Sequence, residues 1–327
     1  MATPSVNNYI LGRGSLYWSS YDPVLNTYSI ERHLGNAKEV SIAMGVTKLD
    51  HYSAMAGLKA KDKSVISQIA PTIGFTLEEF EEENWKLLTF GQATNVTQTA
   101  DDSNSVVIAS PVKGQVYPLG FRSIQTKRLT VGTVTNGPFQ AGETITGGTS
   151  TATAVVRQVL VAQGQLIVDT VAGTFQVAET ITGGTSSATA PVNAIPTPVT
   201  GLVVVKSTVG STYYTASDYS INAGLGEITI LADSTISGSI TVYFGVAGVT
   251  YTTISALTRL VQEGKLRFAS NNPEGGQYEL TAWRTQVSPD GDTALIGDDW
   301  GSMKFTAEVL SDVLNHPTSP YMDLIVS

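Results

Sequence analysis

Hydrophobic and polar positions alternate most regularly over residues 39–47. The side chains on one side are Val40, Ile42, Met44 and Val46, and those on the other side are small or polar. A period of two residues is typical of a strand with one buried face. A second alternating run, residues 65–75, predicts a partner strand, and its Pro71 favours an edge or a bulge there. The polar residues 50–53 are predicted to form a loop after the first strand.

The segment after the second strand predicts a helix over residues 77–90. Thr76 is a candidate N-cap, and Glu79 completes a capping box with it. The glutamates between 78 and 83 favour the electropositive end of a helix, and Gly91 predicts its end. Strand, loop, strand and acidic helix are therefore expected to pack as one unit.

The middle of the chain holds two copies of one motif, at residues 139–154 and 175–190, in which Glu143 corresponds to Glu179. Each copy predicts a strand, a Gly-Gly turn and a second strand. Two copies are fewer than a solenoid normally needs. We therefore expect residues 131–195 to form a compact appendage rather than a repeat array.

Short strands are predicted at regular spacing beyond residue 199, at 202–205, 213–214, 218–221, 227–231 and 239–244. This rhythm is typical of a small antiparallel β-sandwich over 199–250. Together with the abundance of Gly, Thr, Ser, Val and Ala, it predicts a mainly β fold with one short helix.

Composition narrows the possible functions. The chain has 327 residues, enough for two or three domains, and its net charge of −9 makes the surface repel nucleic acid rather than grip it. The absence of cysteine excludes disulfides and thiolate metal sites. No secretory signal or membrane-spanning run is visible, so we expect folding in a cytoplasm and no membrane partner.

No group of side chains predicts catalysis. The histidines, His33, His51 and His316, lie far apart in sequence, and a loop hydrogen bond explains His51 beside Asp50 more simply than a metal or catalytic role. We therefore predict no catalytic, cofactor-binding or metal-binding residue, no cofactor and no enzymatic activity.

Two further patterns resemble ligand sites. The aspartates at 290, 292, 298 and 299 could hold a cation, although a Pro-Asp-Gly turn already explains the first two. The Gly-Gly pairs at 147–148 and 183–184 lack the lysine and the helix of a phosphate-binding loop. Neither pattern is taken as a site.

Several segments in order resemble the major tail tube protein of tailed bacteriophages. They are residues 35–40, 49–54, 75–80, 264–268, 289–291, 298–300 and 309–312. The resemblance implies a tube domain in two parts, 1–125 and 251–327, contributing to a ring-shaped inner β-barrel. The intervening region, 126–250, would be an inserted decoration whose sandwich part resembles immunoglobulin-like modules of phage structural proteins.

The function implied by the resemblance is that of a structural virion protein. Such proteins form hexameric rings that stack into a tube, with tape measure and terminator proteins as partners and a virion location after synthesis in the bacterial host. A sheath would be a further partner only in a contractile tail, and the sequence leaves the tail type open. DNA passes through the lumen without specific binding. Open strand edges at both chain ends fit pairing between copies, and carboxylates of 1–120 and 251–327 are expected to line the bore.

Other classes remain open from the residues alone. A surface adhesin or glycan-binding protein is favoured if the inserted region exposes aromatic residues, for which the sequence offers Tyr213, Tyr214 and Tyr219. A capsid decoration protein shares β modules but does not need the helix and its paired flanking strands.

Overall fold

The computed structural model describes residues 9–55 and 57–326. It confirms the mainly β fold class, with a single α-helix, α1 (Glu82–Thr89), in this part of the chain. No helix among these residues has both the length and the apolar character needed to cross a membrane.

The first twelve strands are β1 (Gly14–Asp22), β2 (Thr27–Tyr28), β3 (Arg32–His33), β4 (Ala37–Ser53), β5 (Ala60–Leu77), β6 (Gln92–Gln98), β7 (Asp101–Ile108), β8 (Val116–Pro118), β9 (Ile124–Val131), β10 (Thr144–Gly147), β11 (Thr153–Leu160) and β12 (Gln165–Ala172). The others are β13 (Thr180–Gly183), β14 (Thr189–Thr200), β15 (Val204–Ser207), β16 (Tyr213–Tyr214), β17 (Tyr219–Asn222), β18 (Glu227–Ile230), β19 (Ile240–Val246), β20 (Val249–Ser255), β21 (Glu263–Ser270), β22 (Tyr278–Pro289), β23 (Met303–Val309) and β24 (Met322–Val326).

The chain divides into two compact units. Unit 1 comprises Met1–Thr94 and Thr252–Ser327, and unit 2 comprises Asn95–Tyr251. The sequence prediction starts the inserted region at residue 126. The contacts start unit 2 about one strand pair earlier, because β7 pairs with β19 and β8 with β18.

Unit 1 is built from both ends of the chain. Its sheet has the strand order β2-β1-β21-β22-β23-β5-β4, with β24 beside β22 and β3 beside β1. The core lies on one face of this sheet, where Phe75 of β5 stacks on Phe305 of β23 with ring centroids 5.1 Å apart. The early strands cannot bury their apolar side chains without the late ones.

The predicted capping box is wrong. Thr76 lies in β5, opposite Lys304 of β23, and the Glu79 carboxylate accepts a hydrogen bond from the backbone N–H of Asn36 at 2.9 Å. The helix begins at Glu82, after an N-cap residue whose side chain makes no capping bond. Sheet pairing of β5 has extended through the residues that the local pattern assigned to a helix start.

Buried Asn84 anchors the helix instead. Its side-chain amide donates to the backbone carbonyls of Leu34 and Glu79, each at 3.0 Å, and its oxygen accepts from Arg32 at 2.9 Å. The helix ends at Thr89, and Phe90, not a glycine, adopts the left-handed conformation after it.

Unit 2 contains both predicted β regions. Each repeat copy forms a strand, a Gly-Gly turn and a strand, as β10–β11 and β13–β14, and the two copies share one hydrophobic core. The predicted strands beyond residue 199 are present as β15 to β19 and share a second core with β7 and β8. Strands β15, β16 and β19 belong to a ten-stranded sheet, and β17, β18 and β8 form a separate three-stranded sheet.

Candidate functional site

The longest hairpin of unit 1 extends beyond the sheet that anchors it. β4 pairs with β5 from Ala37–Leu77 to Ser53–Ala60, but β23 pairs with β5 only as far as Thr72. Residues 60–70 are all exposed, and most of 41–53 are exposed as well. We call residues 42–55 and 57–71 the β-arm. Pro71 sits where β5 loses its neighbour β23, in agreement with the edge position predicted for it.

One face of the β-arm is apolar from its base outwards. Cross-strand partners share a face, and the pairs on this face are Ile42–Ile73, Met44–Pro71 and Val46–Ile69. Ile73 is 1% exposed in the core of unit 1, whereas Ile42, Met44, Val46 and Ile69 are 44%, 64%, 51% and 52% exposed. The predicted strand is therefore confirmed, but a single copy leaves most of its apolar face in solvent.

As far as Thr47 the opposite face carries small and polar side chains, in the pairs Ser41–Gly74, Ala43–Thr72, Gly45–Ala70 and Thr47–Gln68, and the exposed apolar pair Leu49–Val65 follows farther out. A Cβ added to Gly45 would lie 2.4 Å from the carbonyl oxygen of Ala70. The two strands are thus held close on this side. Beyond Thr72 the β-arm has two strands only, and its apolar side is exposed in a single copy.

The outer part of the β-arm is charged. Asp50 accepts hydrogen bonds from Lys61 at 2.7 Å and Ser64 at 2.6 Å, and these bonds lower the pKa of its carboxyl. His51 Nδ1 lies 2.6 Å from Asp62 Oδ1 across the hairpin. The predicted loop at 50–53 is wrong, because these residues continue β4, and His51 and Asp50 therefore point to opposite faces.

β4 is also the terminal strand of its sheet. A strand in this position presents a row of backbone N–H and C=O groups that can pair with another chain. Its length, Ala37–Ser53, makes it the longest such edge in unit 1.

The remaining sequence candidates stay apart. His33 accepts a hydrogen bond from Gly35, and His316 stacks on Trp283 with ring centroids 3.8 Å apart. Among residues 9–55 and 57–326, no three His, Asp or Glu side chains come together as a group that could hold a metal. The aspartates at 290, 292, 298 and 299 lie in or beside an exposed loop that joins β22 to β23.

The Gly-Gly loops of the repeats hold carboxylates of the protein itself. Glu179 accepts hydrogen bonds from the backbone N–H groups of Thr149 and Ser150 at 3.1 and 2.9 Å and from the Ser150 hydroxyl at 2.8 Å. Burial alone would raise the pKa of Glu179, but these bonds and one from the Gln176 N–H lower it to about 2.

Sequence reasoning missed this arrangement. The signal that could have revealed it is the recurrence of a glutamate at the same position of two copies that hold few other charges. Buried carboxylates require donors, and the Gly-Gly-Thr-Ser loop offers adjacent N–H groups.

Comparison with curated proteins finds no match for this chain. The model of one protein family matches residues 9–144 and 167–325, which is most of the chain and includes the β-arm. The chain therefore belongs to the family described as "Protein of unknown function UCP028589".

Proposed function

We propose that this protein is a structural component of a phage tail, whose copies assemble into rings that stack as a tube. The observation that carries the proposal is the apolar face of the β-arm, which continues the core of unit 1 into solvent. A second copy of the same chain is a suitable cover, because it is always present at the same concentration and offers exposed apolar side chains of its own.

The sheet edges favour association between unlike surfaces. The free edge of β4 lies at one end of the sheet of unit 1, and β1, which has only the short strands β2 and β3 beyond it, lies at the other. Pairing β4 of one copy with the β1 side of the next would use both ends. Such a head-to-tail contact closes into a ring when the rotation permits.

Unit 1 exposes more large apolar side chains than unit 2, which fits a unit 1 that binds other copies. Unit 1 presents most of the large apolar side chains that are exposed in the described residues, including Ile30, Met55 and Leu314 at 94%, 96% and 92%. Large exposed apolar surface is typical of interaction sites. We infer that unit 1 makes the tube and that unit 2 decorates it.

Charge and resemblance agree with a conduit for DNA. A net charge of −9 lets nucleic acid slide past rather than bind through released counterions. The segments that resemble tail tube proteins at residues 35–40, 49–54 and 75–80 include much of β4, the start of the β-arm turn and the end of β5. A hexameric ring, the tail partners and the virion location belong to this proposal.

The aromatic residues of unit 2 do not favour the glycan-binding alternative. Tyr214 is 8% exposed, and the hydroxyl groups of Tyr213 and Tyr219 donate to the carbonyls of Arg157 and Val203. Burial raises the pKa of Tyr219 to about 12. Side chains held in this way offer little open ring surface for stacking on a sugar.

Electron microscopy of the purified full-length chain tests the proposal. We expect rings or tubes with a central hole, together with a sedimentation coefficient that rises with protein concentration. A chain that stays monomeric at high concentration, and forms neither rings nor tubes, would remove the proposal. In the assembled particle, reversing the charge of acids that line the hole is expected to slow DNA ejection.

A further inference from the structure

We propose that the charged outer end of the β-arm of one copy docks against the loop of residues 290–302 of another copy. We call residues 48–55 and 57–63 the basic end of the β-arm, and residues 290–302 the acidic loop. This contact rests on the proposed function, because it requires a second copy, and it gives the outer part of the β-arm a specific partner surface.

The basic end carries positive charge on an acidic protein. Residues 48–63 contain four lysines and two aspartates, whereas the whole chain has a net charge of −9. The two aspartates are already bound within the hairpin, by Lys61 and His51. Three exposed lysines make no ion pair within residues 9–55 and 57–326, and these are Lys48, Lys59 and Lys63. The basic end therefore has cations left for a partner.

The acidic loop has the opposite charge pattern. It contains Asp290, Asp292, Asp298 and Asp299 and no lysine or arginine. All four aspartates are exposed, and in the described part of the chain none of them has an ion pair, although Lys304 borders the loop. Most other carboxylates of unit 1 are ion-paired, and the remaining ones are scattered. The loop is thus the concentrated source of unpaired negative charge that matches the basic end.

The acidic loop also forms a concave surface that the tip of the β-arm can enter. The concavity has a volume of about 460 Å³, and its lining includes the exposed apolar side chains of Leu295, Ile296 and Trp300. The tip of the β-arm exposes Met55 and Leu58. A hairpin is narrow, because its two strands lie only about 5 Å apart. Apolar contact at the tip therefore accompanies the charge match.

The basic end and the acidic loop cannot meet within one copy. Met303, directly after the acidic loop, pairs with Leu77 at the base of β5, whereas Lys63 lies fourteen residues earlier in that strand. At about 3.3 Å per residue, roughly 45 Å of strand separates them. A loop of this length, anchored at both ends, reaches roughly 20 Å. The contact therefore joins two copies.

Charge also determines how the copies meet. The apolar face of the β-arm alone would equally allow two arms to pair face to face in a closed dimer. Two basic ends repel each other, as do two acidic loops, whereas a basic end attracts an acidic loop. Such repulsion disfavours the wrong partner surface. Because the contact joins unlike surfaces, it passes from copy to copy, as a stacked assembly requires.

Exchange of charges in the full-length chain tests the contact. The arm variant carries Lys48→Glu and Lys63→Glu, and the loop variant carries Asp298→Lys and Asp299→Lys. Each variant alone lacks the attraction between its own copies, so we expect the concentration required for assembly in sedimentation velocity to rise about tenfold or more. In an equimolar mixture, arm and loop attract each other again in both contacts. Assembly should then return to within about threefold of the unsubstituted chain.

A control variant separates position from net charge. Lys113→Glu with Arg122→Glu changes the net charge as the arm variant does, but at exposed positions of unit 2, and it should assemble like the unsubstituted chain. An equal loss in this control would trace the effect to net charge and overturn the docking. Recovery in the mixture also shows that both variants fold, because two misfolded chains cannot restore each other.

The remaining outcomes separate the docking from the proposed function. An arm variant that assembles like the unsubstituted chain, or a mixture that does not recover, overturns the docking and leaves the tube intact. An arm variant that assembles with the unsubstituted chain but not with the loop variant would indicate pairing between arms and also overturns it. An unsubstituted chain that forms no assembly overturns both.

Discussion

Glu143 and Glu179 exchange partners between the two repeats of unit 2. The Glu143 carboxylate accepts hydrogen bonds from Ser186 in the second copy, and the Glu179 carboxylate accepts from Ser150 in the first. The pairing of β10 with β13 is symmetric about Thr146 opposite Thr182, so the copies are related by a local twofold rotation. Each copy completes the other, which explains why two copies are sufficient.

This exchange predicts an acid-dependent stability of unit 2. Hydrogen bonds lower the pKa of Glu179 in the folded chain to about 2, below the ordinary value of 4.5. A lowered pKa contributes stability that is fully present above pH 4.5 and is lost as the pH falls towards 2. We expect amide hydrogen exchange in residues 139–154 and 175–190 to be slow and constant above pH 5, once corrected for intrinsic rates, and protection to fall below it.

Glu179→Gln is expected to remove much of that dependence. The substitution leaves buried N–H donors without a charged acceptor and should lower the free energy of unfolding at pH 7 by about 2–3 kcal/mol. The difference from the unsubstituted chain should shrink as the pH falls. Asp233→Asn, at an exposed position of unit 2, is the matched control and should have little effect. A difference that persists unchanged at pH 2.5 would contradict the role given to ionised Glu179.

Alanine substitutions at Gly226 and Gly238 distinguish the cost of backbone strain from the cost of steric conflict. Both have positive φ, 70° and 77°, so alanine is strained at either position. A Cβ at Gly226 would lie 1.5 Å from the carbonyl oxygen of Phe121, whereas a Cβ at Gly238 meets nothing within 4 Å. We expect Gly238→Ala to cost about 1–2 kcal/mol and Gly226→Ala several times more, measured by urea unfolding. Equal costs would show that the turn at Gly226 moves freely away from Phe121.

Local alternation predicted most strands, but pairing with distant segments decided where they end. Thr76 and Glu79 satisfy the rule for a helix start, yet β23 binds β5 through Leu77 and delays the helix to Glu82. The polar residues 50–53 look like a loop because their partners, such as Lys61 for Asp50, lie beyond the next turn. The spacing of residues along the sequence does not indicate which distant residues pair in this way.

The candidate site was predictable only in part. The apolar alternation of Val40 to Val46 identified the strand, but the pattern equally suits a face buried within one copy. Its exposure follows from β23 ending opposite Thr72, which depends on the length of a strand more than two hundred residues away.

Excision of residues 99–248, which are nearly all of unit 2, is expected to leave assembly intact. β6 and β20 pair where the chain leaves and re-enters unit 1, and the hydroxyl groups of Thr97 and Thr250 lie 3.5 Å apart. Joining Gln98 to Val249 through an Asn-Gly turn therefore converts them into a hairpin. The shortened chain should keep a β circular dichroism spectrum and form rings or tubes in electron micrographs. A folded, shortened chain that no longer assembles would show that unit 2 is part of the tube.

The two faces of the β-arm give the sharpest test of self-assembly. Val46→Asp puts a carboxylate on the apolar face and Thr47→Asp puts one on the opposite face, both at exposed positions of β4. Each should change the stability of a single copy by no more than about 0.5 kcal/mol, as is usual at exposed sites. Burying the new charge against a neighbour is costly, so we expect Val46→Asp to abolish assembly in sedimentation velocity while Thr47→Asp retains it. Assembly by Val46→Asp at the concentration required by the unsubstituted chain would show that this face remains uncovered in the particle.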